Sequence, residues 1–124
     1  MKEVASWLAA SSLMTCLVAC ASDDVTGPRA PELVELAPMA GSLHVTWKNV
    51  EPTCDSIELE RKEVARTDPP PASASTFAVV YVLPGAVDNK HDGTATGDAI
   101  YTYRLRCKKG SAYSGYSNEM SASP

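Results

Sequence analysis

The sequence from Pro31 onward predicts an all-β domain, an antiparallel β-sandwich of about seven short strands, and three observations carry that prediction. Apolar and polar residues alternate with a period of two in one stretch after another. No window of useful length carries an apolar stripe at helical spacing. The alternating stretches are short and are separated by clusters of Gly, Pro, Asn and Asp, the residues that turn a chain between strands.

Leu33 and Leu36 mark the first strand. Leu43-His44-Val45-Thr46-Trp47 forms the second, with Leu43, Val45 and Trp47 on the core phase and His44 on the outward phase. Ile57-Glu58-Leu59-Glu60 repeats the alternation in a third. Phe77 to Leu83 is apolar on both faces; its phase turns Phe77, Val79, Tyr81 and Leu83 inward and leaves Val80 and Val82 outside. Asp88-Asn89-Lys90-His91-Asp92-Gly93 is polar and reads as a turn. Ala99 to Cys107 then sets Tyr101, Tyr103, Leu105 and Cys107 against Thr102, Arg104 and Arg106, and a last strand runs through Tyr116 and Met120.

Ahead of this domain the chain opens with Lys2 and Glu3, an apolar run from Trp7 to Ala19, and then Leu17-Val18-Ala19-Cys20 at the end of that run. A membrane span needs about 20 predominantly apolar residues, and this run is interrupted by Ser11, Ser12, Thr15 and Cys16, so it reads as a secretory signal. The tetrapeptide resembles a bacterial lipobox. That resemblance implies cleavage before Cys20 and a mature chain carrying lipid on the Cys20 sulfur and amine. Two or three acyl chains hold a protein on a bilayer where one does so only marginally. Ala21, rather than Asp, follows the cysteine and favours the outer over the inner membrane of the cell envelope by analogy with sorting in related lipoproteins. An ordinary signal peptide cut after Ala19 is the competing reading. The organisation expected is therefore a signal peptide over 1–19, a lipidated cysteine and polar tether over 20–30, and one domain over 31–124. The ten-residue tether reaches at most about 35 Å and averages roughly 17 Å as a coil.

Within the domain, Trp47, the run Tyr101-Thr102-Tyr103-Arg104-Leu105-Arg106, and Tyr113-Ser114-Gly115-Tyr116-Ser117-Asn118-Glu119 occur in an order and spacing that resemble the fibronectin type III family. Leu83-Pro84-Gly85 and Asp92 ahead of Tyr101 fit the same pattern. The resemblance covers residues 31–124. It implies an Ig-like sandwich with Trp47, Tyr103 and Leu105 in the core. It makes Tyr101 a tyrosine corner, its hydroxyl bonding backbone across the fifth-to-sixth connection; generic core packing of an aromatic is the alternative.

The same resemblance makes the third and sixth strands antiparallel neighbours, with three consequences. Cys54 and Cys107 fall at one end of that pair and imply a disulfide, a feature type III domains usually lack. Two free thiols are the alternative, because Cys54 is out of phase with Ile57 and Leu59. An exported chain meets an oxidising compartment, and closing a loop of about 53 residues is worth roughly 4 kcal/mol in the chain-entropy account. Glu58 and Glu60 face Arg104 and Arg106 as a solvated charge ladder worth about 0.2–1 kcal/mol per pair. Phe77 to Leu83 becomes an edge strand, with Val80 and Val82 as candidate contacts for a partner unless the Pro-rich stretch Asp68 to Ser75 covers them.

Composition excludes several functions. Removing the first nineteen residues leaves 10 basic and 14 acidic side chains, with no basic block to follow a phosphate backbone, so nucleic acid is not expected as a partner. His44 and His91 are expected as surface residues, belong to no nucleophile arrangement and form no spaced metal set. Asp88 to Gly93 fails as a calcium loop, since Lys90 and Ala99 stand where oxygen ligands are required. No cofactor, metal or catalytic residue is expected. The function expected is a lipid-anchored envelope module for binding or adhesion, its partner an unidentified protein or polysaccharide. An accessory subunit of a larger envelope complex is the alternative, and an unrecognised enzyme the remote one.

Overall fold

The computed structural model describes residues 27–66 and 76–124. The lipobox, Cys20, the tether up to Thr26 and the stretch Asp68 to Ser75 lie outside the described residues. Eight strands follow one another: β1 (Glu32–Met39), β2 (Ser42–Lys48), β3 (Ser56–Ala65), β4 (Ala78–Pro84), β5 (Asn89–Asp92), β6 (Ala99–Lys109), β7 (Ala112–Tyr113) and β8 (Met120–Ala122). They form two antiparallel sheets, one ordered β1-β2-β5 and the other β4-β3-β6, with β7 and β8 both paired to β6.

Alternation places one face of each sheet inside. Leu43, Val45 and Trp47 of β2 meet Ile57 and Leu59 of β3 and Tyr101, Tyr103, Leu105 and Cys107 of β6 in a single apolar core. Fully burying a large apolar side chain contributes about 1.5–3 kcal/mol, so this shared layer is what holds the sheets together. Trp47 satisfies its one polar atom by donating from Nε1 to the Val87 carbonyl at 3.0 Å. The β1–β2 hairpin turns on Ala40 and Gly41, whose φ angles of 53° and 78° match the twist of the flanking strands.

The Cys54–Cys107 disulfide is formed, with Cα atoms 5.6 Å apart. Ile57 pairs with Cys107, so a regular strand would carry Cys54 past the bond on the wrong phase. The chain instead approaches β3 irregularly, with Asp55 donating its N–H to Lys108 and accepting from Gly85. Gly85 packs so close to the Cys54 backbone that a β-carbon has no room there.

Four expectations need correction. The polar run 89–92 is a strand rather than a turn: β5 pairs with β2 through Leu43↔Asp92, His44↔His91, Val45↔Lys90 and Thr46↔Asn89. The final strand is split, since Tyr116 lies in the non-strand stretch between β7 and β8. A bulge between Leu59 and Glu60, opposite which Val80 has no partner, inverts the phase of β4. Val80, Tyr81 and Leu83 therefore pack against the core, while Val79 and Val82 are 45% and 64% exposed. Phe77, expected inside, lies on the outer face against Arg104.

Candidate binding surface

The β3–β6 register sets Glu58 opposite Arg106 and Glu60 opposite Arg104 on the outward face of the larger sheet. Arg104 bonds Glu60 through Nε and Nη2, both at 2.8 Å, and Arg106 Nε bonds Glu58 at 2.9 Å. The pairs expected from sequence are present, but their setting is not the solvated one expected: Glu58 and Glu60 are only 8% and 5% exposed. Aromatic rings provide part of the cover. The Arg104 guanidinium lies 4.0 Å from the Phe77 ring centre and 3.5 Å from that of Tyr116. Arg106 lies 3.8 Å from the Tyr113 ring centre and 5.3 Å from Tyr116. Phe77, Arg104, Tyr116, Arg106 and Tyr113 thus alternate ring and guanidinium across the face. Each such contact is worth about 0.5–1 kcal/mol at an exposed site and more where water is excluded. Burial opposes the charge of Arg106, yet its bond to Glu58 prevails and raises its pKa.

The segment that carries the two tyrosines has a period of three. Tyr113 and Tyr116 both turn to the arginines, and Ser114 and Ser117 both turn to β6. Ser114 Oγ accepts from Cys107 N at 2.8 Å and Ser117 Oγ accepts from Leu105 N at 2.9 Å. The backbone N–H groups of the same serines donate to the Cys107 and Leu105 carbonyls. Side-chain oxygens thereby replace the ladder carbonyls lost between β7 and β8, and no β6 donor at these positions is left unpaired.

At the other side of the face lies β4, the end strand of the sheet among the described residues. Val82 pairs with Glu58 and Val79 with Glu60, so both valines share the face of the charge ladder. A continuous surface runs from the β4 edge across β3 and β6 to Tyr113 and Tyr116, each 42% exposed.

A second polar constellation lies inside. Asp92, at the end of β5, is fully buried and accepts from Arg61 Nη1 at 2.8 Å, Tyr103 Oη at 2.6 Å, Tyr81 Oη at 3.1 Å, Thr94 Oγ1 at 2.6 Å and Thr94 N at 3.1 Å. Burial pushes its pKa up, but the hydrogen bonds from Thr94, Tyr103 and Arg61 outweigh it and bring the value down to about 2. Burial and then the Asp92 charge raise the pKa of Tyr81 and, strongly, that of Tyr103. Closed to solvent on all sides, this carboxylate ties β3, β4, β5 and β6 together and meets side chains rather than a substrate.

An open cleft of about 550 Å³ lies between the start of β1 and residues 116–118, where the Asn118 amide brackets Leu33 by bonding its N–H and its carbonyl at 2.9 Å each. Tyr101 Oη donates to the Thr96 carbonyl at 2.6 Å and accepts from Thr96 N at 3.1 Å, the corner bond expected of it. Among the described residues no group of three or more His, Cys, Asp or Glu is arranged to hold a metal ion, and no helix is long and apolar enough to cross a membrane. Sequence reasoning missed Arg61, and it named Asp92, Phe77, Tyr113 and Tyr116 without the roles they have here. The period-three repeat of Tyr and Ser at 113–117 was the one visible signal.

No family model and no curated protein matches this chain. Among solved structures, one described as "Myokine structure" superposes with a TM-score of 0.59 at 11% sequence identity, covering 77% of this chain and 96% of that one. The likeness is one of fold.

Proposed function

We propose that this protein is a lipid-anchored component of the cell envelope that presents one fibronectin type III domain to a protein partner. The observation that carries the reading is the continuous outward face on which exposed Val79 and Val82 of the edge strand share register with the Glu58–Arg106 and Glu60–Arg104 pairs and the exposed Tyr113 and Tyr116. Tyr and Arg are enriched where proteins bind one another, and an apolar edge offers backbone groups as well. The type III assignment is supported by the antiparallel β3–β6 neighbours, by Trp47 in the second strand and by the Tyr101 corner. A disulfide accords with export, and lipidation of Cys20 rests on the sequence of the lipobox.

A photo-crosslinking residue at Val82 in intact cells tests the reading. The expected result is one reproducible protein adduct, lost in Val79→Lys and also lost, together with membrane association, in Cys20→Ser. Membrane association unchanged in Cys20→Ser would remove the anchor from the proposal. Adducts unaffected by Val79→Lys would remove the binding face. Polysaccharide capture without a protein adduct would favour the carbohydrate partner.

A further inference from the structure

The Phe77, Tyr116 and Tyr113 rings do more than cover two arginines. Lys62 Nζ lies 5.0 Å from the Phe77 ring centre, and Lys108 Nζ lies 5.9 Å from that of Tyr113. Cation and ring therefore alternate without a break from Lys62 through Arg104 and Arg106 to Lys108. Glu60 and Glu58 neutralise the inner two cations, but among the described residues no carboxylate meets either terminal lysine. The acidic neighbours are committed elsewhere: Asp55 accepts from Gly110 N at 2.6 Å, Glu63 pairs with Arg61, and Glu51 pairs with Arg29 and Lys109. Because Glu58 and Glu60 are covered, the charge this face offers to solvent is positive, on a chain whose net charge is -4.

Successive outward rungs of the β3–β6 ladder are Lys62↔Thr102, Glu60↔Arg104, Glu58↔Arg106 and Ser56↔Lys108. Val79 stands beside Glu60, and Val82 beside Glu58. Each end rung thus carries a lysine without a carboxylate, while the middle rungs are neutral and bordered by exposed valine. From Lys62 to Ser56 the strand advances about 20 Å, at 3.2–3.4 Å per residue. An extended segment laid along it turns alternate side chains to one side at the same spacing. We propose that the partner meets this face with an extended acidic segment: carboxylates at its two ends engage Lys62 and Lys108, and apolar side chains at the alternate positions between them cover Val79 and Val82. The proposal rests on the reading of this face as a protein-binding surface and names the chemistry of the partner. An acidic polysaccharide would answer the lysines but bring no apolar group to the valines. An anionic bilayer takes up projecting apolar side chains, whereas the rings here lie stacked against guanidinium groups.

The test is an NMR titration of the full-length chain with an end-blocked peptide, Glu-Thr-Val-Thr-Val-Thr-Glu, whose alternate residues reproduce the pattern, against a control with Lys at both ends. Amide signals of β3, β4 and β6 should shift with the acidic peptide. Exposed ion pairs are individually weak, so Lys62→Gln and Lys108→Gln should each weaken binding about 1.4- to 5-fold, and the double variant by roughly the product. Raising salt from about 0.01 to 1 M should remove the difference between the two peptides, because the screening length falls from about 30 to 3 Å. No shifts with the acidic peptide, binding indifferent to its end residues or to both lysine variants, or shifts confined to the smaller sheet would each overturn the proposal. So would tighter binding of a galacturonate trimer or of phosphatidylglycerol vesicles than of the acidic peptide, which would assign the face to a polysaccharide or to a bilayer. In cells, the yield of the Val82 protein adduct should fall in the lysine double variant. An adduct that persists there keeps the protein-binding face and removes its acidic partner, whereas no adduct in any variant removes both.

Discussion

Acid should destabilise this domain through Asp92 more than through any other single group, and the size of the effect follows from its surroundings. The carboxyl has a pKa of 3.8 when unperturbed and about 2 in the folded protein. A depressed carboxyl pKa means that the folded state holds the proton less tightly than the unfolded chain. The stabilisation is therefore complete above pH 4 or so and is lost as pH falls through about 2. At about 1.4 kcal/mol per pH unit, the difference amounts to roughly 2–3 kcal/mol at neutral pH. Replacing Asp92 by Asn takes more away. The side chains of Arg61, Tyr81, Tyr103 and Thr94 all donate to this carboxylate, and an amide offers them one acceptor oxygen while adding two donors of its own. Breaking a buried ion pair by removing one partner costs about 3–5 kcal/mol. The assay is urea unfolding, followed by fluorescence, at intervals from pH 7 to 1.5. The wild type should lose roughly 2–3 kcal/mol more than Asp92→Asn across the acid limb, with Tyr81→Phe in between because it removes only one of the donors. Acid losses equal in wild type and Asp92→Asn would refute this account, since carboxylates elsewhere contribute equally to both.

Three further outcomes are expected. Cys54→Ala with Cys107→Ala should lower stability by about 4 kcal/mol, read as a shift in the urea midpoint that reducing agent reproduces in the wild type. Tyr101→Phe leaves the Thr96 N–H and carbonyl without their partner and should cost about 1–2 kcal/mol; an unchanged midpoint would show that the hydroxyl does not act as a corner. Gly85→Ala drives a methyl group into the Cys54 backbone, which cannot yield because it is tethered by the disulfide. That variant should lose more stability than Tyr101→Phe in the same measurement.

What could be read from the chain was whatever depends on alternation alone. Period two identified β2, β3 and β6 and their inner faces, and once β3 and β6 were taken as neighbours it also identified the Glu–Arg rows and the cysteine pair. What escaped depends on partners remote in sequence. The bulge opposite Leu59 and Glu60 is set by how β4 meets β3, and nothing within Phe77 to Leu83 signals that its phase reverses midway. Asn89 to Asp92 looks like a turn because it is short and polar, yet β2 offers it a ladder and β3, β4 and β6 supply the donors that make a buried aspartate favourable. Glu58 and Glu60 look solvated because charge is usually exposed; the arginines above them are themselves roofed by Tyr113, Tyr116 and Phe77, and that roof comes from two other parts of the chain.

The serines at 114 and 117 have an effect beyond closing a gap in β6. Their hydroxyls donate onward to the carbonyls of Gly115 and Asn118, at 2.7 and 2.8 Å, while their own N–H groups are committed to β6. An incoming strand needs a free, regularly alternating row of N–H and C=O groups. Along 114–119 that row is already partly consumed from within. Among the described residues β4 ends the larger sheet on one side, and the sheet resists extension from the opposite side. A sheet closed on one side cannot pass strands on through that side, so recognition at the β4 border would not turn the larger sheet into a propagating stack.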